Sequence, residues 1–589
     1  MMSVKRANIL ILLFLCASSV SCRLSGSAPA HVQTPDGSPT SAPAATATAT
    51  TIFRLVYTED TPGIRSGALW DANDDGYLDI AFGTPKRAHF ITNDNGTGNF
   101  DANTTYNVSF SGTGWGALDF DHDGKLDLHL NTDKYGNAIS SSDSSISFTD
   151  IGTEIQQAVV RNALFADFDG DGYTDAFLTT SSFRERHQWP FFFRGNASGA
   201  FDAANLIDTI LDPNTSGFWH SLTPPTSQLP AADQACANED WATKQIKGGI
   251  VRDFDKDGKA DVLLAVYADA GYQDERCLKF ATMRAFYSER GLYYLHNLSS
   301  PGHFAFEEIA ASALGGFANG QDSTVWNPYQ ATALDYDNDG DLDLFVGATV
   351  RKGRLSGDED TRAAAFFEND GAGQFIDKTA AAGFQWINDL AVSERSEINL
   401  AAGGAFDYDN DGYVDLIFVN RNGMNEPTYQ YVFVFRNLGD KTFELIPPAR
   451  HGMNRNSGRD ITYGDLNNDG YLDTVIMDGE GGGTQGSNDA QVYFNTLSTN
   501  GNHWLGIDAV SPDGSPAIGA KVTLYNPATH QILGYDEVRT DFSYRSKKTP
   551  RVYFGLGTRT SVTVEVEYSG EKVTLTSITP DTVMKVVAR

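Results

Sequence analysis

Short apolar runs recur along the chain, and each follows the same polar stretch. The runs are Ile80-Ala-Phe-Gly83, Leu128-His-Leu130, Ala176-Phe-Leu178, Val262-Leu-Leu264, Leu344-Phe-Val346, Leu416-Ile-Phe-Val419 and Thr474-Val-Ile-Met477. At three or four residues they are too short for helices and read as buried β-strands. The polar stretch is Asp-x-Asp/Asn-x-Asp-Gly-x-x-Asp, and it occurs seven times, with first residues 48, 48, 86, 82, 72 and 58 positions apart. A second pattern lies between these loops: an apolar or aromatic run, an Asn/Gly turn, then Phe. Examples are Phe90 to Phe100, Phe191 to Phe201, Phe366 to Phe375 and Val434 to Phe443. Asn and Gly tolerate positive φ, so this is a hairpin signature. After the second loop it degenerates into the polar stretch Asn137 to Ser147. Each unit therefore holds about four strands. Seven such units predict an all-β fold, a seven-bladed β-propeller over residues 52–499, because radial repetition limits exposed strand edges. A linear solenoid usually has shorter and more regular repeats.

The loops carry the candidate chemistry. Aspartates at alternate positions, a glycine for a sharp bend and a closing ninth-position aspartate wrap oxygens around one point, and a seventh-position carbonyl adds to them. Oxygen-only ligands at flexible spacing suit Ca²⁺ better than Mg²⁺. The predicted ligand positions are Asp71, Asn73, Asp75, Tyr77 and Asp79; Asp119, Asp121, Asp123, Lys125 and Asp127; Asp167, Asp169, Asp171, Tyr173 and Asp175; Asp253, Asp255, Asp257, Lys259 and Asp261; Asp335, Asp337, Asp339, Asp341 and Asp343; Asp407, Asp409, Asp411, Tyr413 and Asp415; and Asp465, Asn467, Asp469, Tyr471 and Asp473. No Glu stands at the twelfth position, where the first copy has Phe82, so these are not helix-loop-helix calcium loops. Up to seven structural calcium ions follow. The alternative is a set of Asp/Gly turns without metal, but carboxylates crowded beside apolar strands repel one another, and a dication relieves that. Asn73 and Asn467 give the first and seventh loops one charge less and weaker binding.

The full chain has 589 residues with 76 acids against 44 bases, a net charge of −32, which excludes a binder of nucleic acid driven by a basic surface. At 41% hydrophobic it is too apolar for a disordered acidic polymer. Residues 1–22 read as an export signal, with Lys5 and Arg6 before the apolar run Ile9 to Leu15. The stretch Ser19 to Cys22 resembles a bacterial lipobox. The resemblance implies lipidation of Cys22 and, with Arg23 following, delivery to the outer membrane; an ordinary secretory signal is the alternative. Residues 23–51, rich in Ser, Thr, Ala and Pro, form a flexible tether reaching about 30 Å. Membrane contact is then through the lipid anchor alone. Of the 4 cysteines only Cys236 and Cys277 remain for the folded part, where an exported compartment permits a disulfide between them; two buried thiols are the other reading.

The Asp loops with their apolar strands resemble FG-GAP/VCBS repeats, as in the calcium-bearing propellers of integrin α-subunits. The segments Phe375 to Phe384 and Phe306 to Gly315 are similar to those of the cartilage acidic protein family and its bacterial relatives. In residues 500–589, His503-Trp-Leu-Gly-Ile507, Ala517 to Thr523, Glu537-Val-Arg539, Val552 to Gly557 and Val562 to Gly570 resemble an ASPIC/UnbV domain. Alternation at Val562, Val564 and Val566 marks half-buried strands independently of the family. That family often has an Asn-Arg pair before its Ile-Gly-Ala stretch, where this chain has Gly514-Ser-Pro516. Residues 501–589 hold 10 bases and 9 acids, a near-neutral small β-domain beside an acidic ring.

No HExxH motif, Gly-x-Ser-x-Gly elbow or phosphate-binding loop with its Lys occurs. Trp189, Phe218, Trp219 and Trp241 lie in the long insertion between loops three and four, as blade filling or as a sugar-stacking surface. The sequence thus predicts a monomeric, calcium-stabilised, membrane-anchored adhesion protein that binds a protein or glycan and is not an enzyme. The alternative is a carbohydrate-active enzyme, polysaccharide lyase-like, on the same propeller.

Overall fold

A computed structural model of the protein describes residues 51–61, 63–84, 88–106, 115–119, 124–131, 136–142, 145–150, 160–180, 191–196, 201–202, 245–267, 291–309, 327–350, 362–393, 398–421, 432–453, 458–478, 489–541 and 544–588. Cys22, Asp121, Asp123, Trp189, Phe218, Trp219, Cys236, Trp241 and Cys277 lie outside these residues.

The described chain is nearly all β. Six four-stranded antiparallel sheets follow one another over residues 66–106, 115–150, 160–202, 245–309, 327–377 and 400–446. Within each, strand order follows chain order. In a seventh sheet, Asp460–Gly464, Asp473–Met477 and Ala490–Asn495 are joined by Phe53–Glu59 from the far end of the chain. The first apolar strand therefore completes the last sheet, a pairing that local patterning does not reveal. The first strands of successive sheets contact one another in turn, and Asp460–Gly464 touches Ser66–Trp70, which closes the series into a propeller-like ring. The polar stretch after loop two forms two paired strands, Gly136–Ser142 and Ser145–Asp150, despite its weak pattern.

Every Asp loop joins the first strand of a sheet to the second. The second strands are the apolar runs, and Asp261–Tyr267 and Asp343–Thr349 are buried at every position. Two backbone positions in the loops sit in the left-handed region. The sixth is always glycine, with φ of 87° at Gly76 and 99° at Gly412. The fourth lies at φ 56–60° in Asp74, Lys256, Asn338, Asn410 and Asn468 and is Gly170 in the third loop. Asn, Asp and Gly are the residues that adopt this conformation at least cost, which explains a composition the ligand pattern does not require.

The C-terminal domain has two sheets. One orders Val552–Gly557, His503–Val510 and Thr582–Val587, the last two parallel. The other orders Ile532–Glu537, Lys521–Tyr525, Val562–Tyr568 and Glu571–Ile578. Their inward Leu505, Ile507, Val522, Leu524, Val562, Val564 and Val566 form one core, which continues into Leu118, Phe165 and Phe193 of the ring.

This domain packs on the Asp-loop face and places Asp541 and residues 544–548 in the middle of the ring. Lys547 pairs with Ala68. Its Nζ donates to Asn162 Oδ1 at 2.5 Å and Ala163 O at 2.9 Å, and its carbonyl accepts from Thr462 Oγ1 at 2.8 Å. Ser546 Oγ accepts from Gly67 N–H at 3.0 Å. Asp541 takes Arg252 Nη1 at 2.9 Å on both oxygens. Tyr544 meets Tyr329 with ring centroids 4.7 Å apart. The segment thus touches the first strands of five sheets. Burial lowers the Lys547 pKa to about 8, against the pull of Asp541 and Asp460. Burial would raise Asp541, but Arg252, Lys547 and Arg539 together hold it below its ordinary value.

Candidate metal centres

The loops repeat one hydrogen-bond scheme. The first aspartate accepts from the N–H of the sixth residue: Asp71 from Gly76 at 2.9 Å, Asp167 from Gly172 at 2.9 Å and Asp407 from Gly412 at 2.7 Å. The fifth accepts from the N–H of the seventh, as Asp171 does from Tyr173 at 2.9 Å. The ninth is buried and bridges two segments. Asp415 takes Tyr408 N–H at 3.1 Å on one oxygen and Asn437 N–H at 2.8 Å on the other. Asp79, Asp175, Asp343 and Asp473 are held likewise. The closing aspartate therefore ties its loop to the third strand of its own sheet.

The carboxylates converge. In the third, fourth, fifth and sixth loops, oxygens of Asp167, Asp169 and Asp175; Asp253, Asp255 and Asp257; Asp335, Asp337 and Asp339; and Asp407, Asp409 and Asp415 lie within 4.8 Å of one another. Burial dominates the electrostatics of the first and closing aspartates. It pushes Asp175 up to about 8, Asp79 and Asp465 to about 7 and Asp167 to about 6, with neighbouring aspartates adding to the rise. Asp335, Asp343, Asp407, Asp415 and Asp473 are pushed well above the usual carboxylate range for the same reason. Crowded, desolvated oxygen donors of this kind fit a divalent cation, which lowers those values by direct charge.

Cationic side chains also reach the loop carboxylates, Arg436, Arg194, Lys441 and Lys521 from outside the nine-residue pattern and Lys125 and Lys256 from within a neighbouring loop. Arg436 Nε and Nη2 lie 2.8 Å from Asp409 and 2.7 Å from Asp411. Arg194 Nε lies 2.9 Å from Asp169. Lys441 Nζ lies 2.5 Å from Asp337 and Lys125 Nζ 2.5 Å from Asp74. Lys256 pairs with Asp341, and Lys521 of the C-terminal domain pairs with Asp253. In the fourth loop His296 Nδ1 is 3.2 Å from both Asp255 and Asp261, and Tyr294 donates to Asp261 at 2.7 Å. The seventh-position residues differ in exposure: Tyr173 is 37% exposed, whereas Tyr471 is buried and donates to Asn500 at 2.5 Å.

An asparagine on the third strand of one sheet also caps the loop of the sheet before it. Its Nδ2 donates to the carbonyl after the first aspartate: Asn297 to Phe168 O at 2.9 Å, Asn369 to Phe254 O at 2.9 Å, Asn437 to Tyr336 O at 2.8 Å and Asn495 to Tyr408 O at 2.7 Å. Asn93 of the first sheet donates to Leu466 O of the seventh at 2.7 Å, so the series runs around the ring. Asn93, Asn369 and Asn437 read in the sequence only as hairpin-turn asparagines. Asn297, Asn369, Asn437 and Asn495 each stand as the last residue of their third strand, and that recurrence was the available signal. Replacing Asn437 with Leu strands the buried Tyr336 carbonyl and should cost about 1–3 kcal/mol in denaturant unfolding; an unchanged midpoint would show the latch to be incidental.

The FG-GAP-like repeat family model matches residues 71–130 and 407–476, and the ASPIC and UnbV model matches residues 511–589. No curated protein matches the chain. Among solved structures, one of BBS1N in complex with ARL6DN, soaked with lead, aligns at 8% identity over 76% of this chain and 98% of that one, TM-score 0.40. The same complex soaked with mercury aligns at 9% identity over 76% and 98%, TM-score 0.39. An Agrocybe aegerita lectin, described as recognising non-reducing terminal N-acetylglucosamine, aligns at 13% identity over 74% and 90%, TM-score 0.34.

Proposed function

From a chain that carries FG-GAP-like repeats and a C-terminal ASPIC and UnbV domain, we propose an exported adhesion protein whose ring of Asp loops is ordered by calcium and whose ligand is a protein or a glycan. The observation that carries the calcium reading is the convergence of three carboxylates in each of four loops, at least one of them buried in every loop. The repeats position these groups between strands, where a bound ion rigidifies the ring. Calcium is thus structural, and the protein binds its ligand without chemistry. Cys22 is the proposed lipid anchor and residues 23–51 the spacer. Among the described residues no helix is long and apolar enough to cross a membrane.

Calorimetric titration with Ca²⁺ tests the metal reading, and a glycan array run with calcium and with chelator tests the ligand class. Asp339→Asn is the informative variant. Asp339 Oδ1 accepts from Asp341 N–H at 3.0 Å, a bond an amide oxygen keeps, and burial raises its carboxyl to about 6. The variant should lose about tenfold or more in calcium affinity at the fifth loop, since affinity follows ligand charge. In chelator it should be no less stable than the parent, because one repelling charge is gone. A variant with unchanged calcium binding removes the fifth loop from the set.

A further inference from the structure

The middle of this acidic molecule is cationic. Arg545, in the segment that enters the ring, is 1% exposed. Its Nη2 donates to Tyr544 OH at 3.1 Å, while Nε and Nη1 have no hydrogen-bond partner among the described residues. One of five N–H donors is therefore used. The Tyr544 ring, 4.5 Å below the guanidinium carbon, meets Tyr329. Arg421 Nη1 donates to Tyr329 OH at 2.9 Å, and Lys247 Nζ stands 5.4 Å over the same ring. Arg459 is buried nearby; burial, and then the charges of Arg421 and Arg65, lower its pKa to about 10. Three arginines and a lysine thus gather around two tyrosines packed edge to face, in a chain of net charge −32.

A buried guanidinium with idle donors is unfavourable by several kcal/mol unless a counter-charge is buried with it. Guanidinium geometry suits planar carboxylates and tetrahedral sulfate or phosphate, and the tyrosines offer hydroxyls and a flat face. We propose that Arg545, with Tyr544, Tyr329 and Arg421, forms an oxoanion-binding site at the centre of the ring. The site is distinct from the Asp loops and takes the opposite charge. A free inorganic anion and the acid group of a sugar present the same chemistry to it.

The test uses the full chain loaded with calcium. Calorimetric titrations with sulfate and with glucuronate, at ionic strength matched by chloride, should give saturable binding at one site. Sulfate binding alone identifies a free anion as the occupant, and tighter glucuronate binding an acidic sugar. Arg545→Met should weaken either by about ten- to hundredfold, the loss of charge-assisted hydrogen bonds. Arg545→Lys, which keeps the charge but not the fork, should lie between, and serves if the Met variant does not fold. Crystals soaked in selenate should show an anomalous peak within hydrogen-bonding distance of Nε or Nη1. Neither anion binding, equal affinity in the parent and Arg545→Met, or selenate absent from Arg545 would overturn the proposal.

Discussion

Stripping divalent cations with a chelator lowers the melting temperature by about 10 °C. The estimate follows from the four loops whose oxygens converge within 4.8 Å. A ligand held at a hundred times its dissociation constant stabilises by about 2.7 kcal/mol per site. Four sites give roughly 11 kcal/mol, set against an unfolding entropy of about 1 kcal/mol per degree for a folded part of this size. The pH dependence sharpens the test. In the chelated protein the raised values of about 6, 7, 7 and 8 at Asp167, Asp79, Asp465 and Asp175 mean that folding takes up protons. The contribution of these groups is fully present below their unfolded value near 3.8 and is lost as pH rises toward 8. Chelated protein should therefore melt lower at pH 8 than at pH 5. Calcium, which binds the ionised carboxylates, should protect most at pH 8. A melt that is identical in calcium and in chelator at both pH values would end the structural-calcium reading.

Replacing Asp541 with Ala destabilises the protein by about 3–5 kcal/mol, because it leaves the Arg252 charge buried without its partner. Both side chains are nearly shielded from water, and Asp541 also accepts the Val251 N–H at 3.4 Å. The loss should appear as a lower denaturant midpoint and faster proteolysis near residues 544–548, where the C-terminal domain enters the ring. The double variant Arg252→Met/Asp541→Leu should recover much of it, since an apolar pair of similar volume removes the unpaired charge. A single variant that unfolds at the parent's midpoint would mean that this pair does not hold the domain in place.

The Asp loops were legible because their chemistry is local. Nine consecutive residues supply the carboxylates, the glycine and the bend, and the following apolar run marks the buried strand. The closing aspartates Asp79, Asp175, Asp343, Asp415 and Asp473 are buried where the pattern places a loop against a strand. The FG-GAP-like and ASPIC and UnbV resemblances were likewise carried by short motifs. The flanking cations were not legible. Arg436 stands 27 residues from Asp409 and Lys521 stands 268 from Asp253, and nothing in their own neighbourhood marks them.

By itself, then, the sequence determined the repeating unit: strand period, turn residues and the acidic residues of each loop, all set by interactions within a few residues. Only the tertiary structure decided three things. Phe53–Glu59 completes the seventh sheet, Asn93 reaches across to Leu466, and Arg545 comes to rest among Tyr329, Tyr544 and Arg421. The physical reason is one of range. Backbone conformation and turn chemistry are fixed by near neighbours. The pairing of strand edges and the burial of charge depend on which distant surfaces meet when the ring closes, and those contacts leave no periodic trace along the chain.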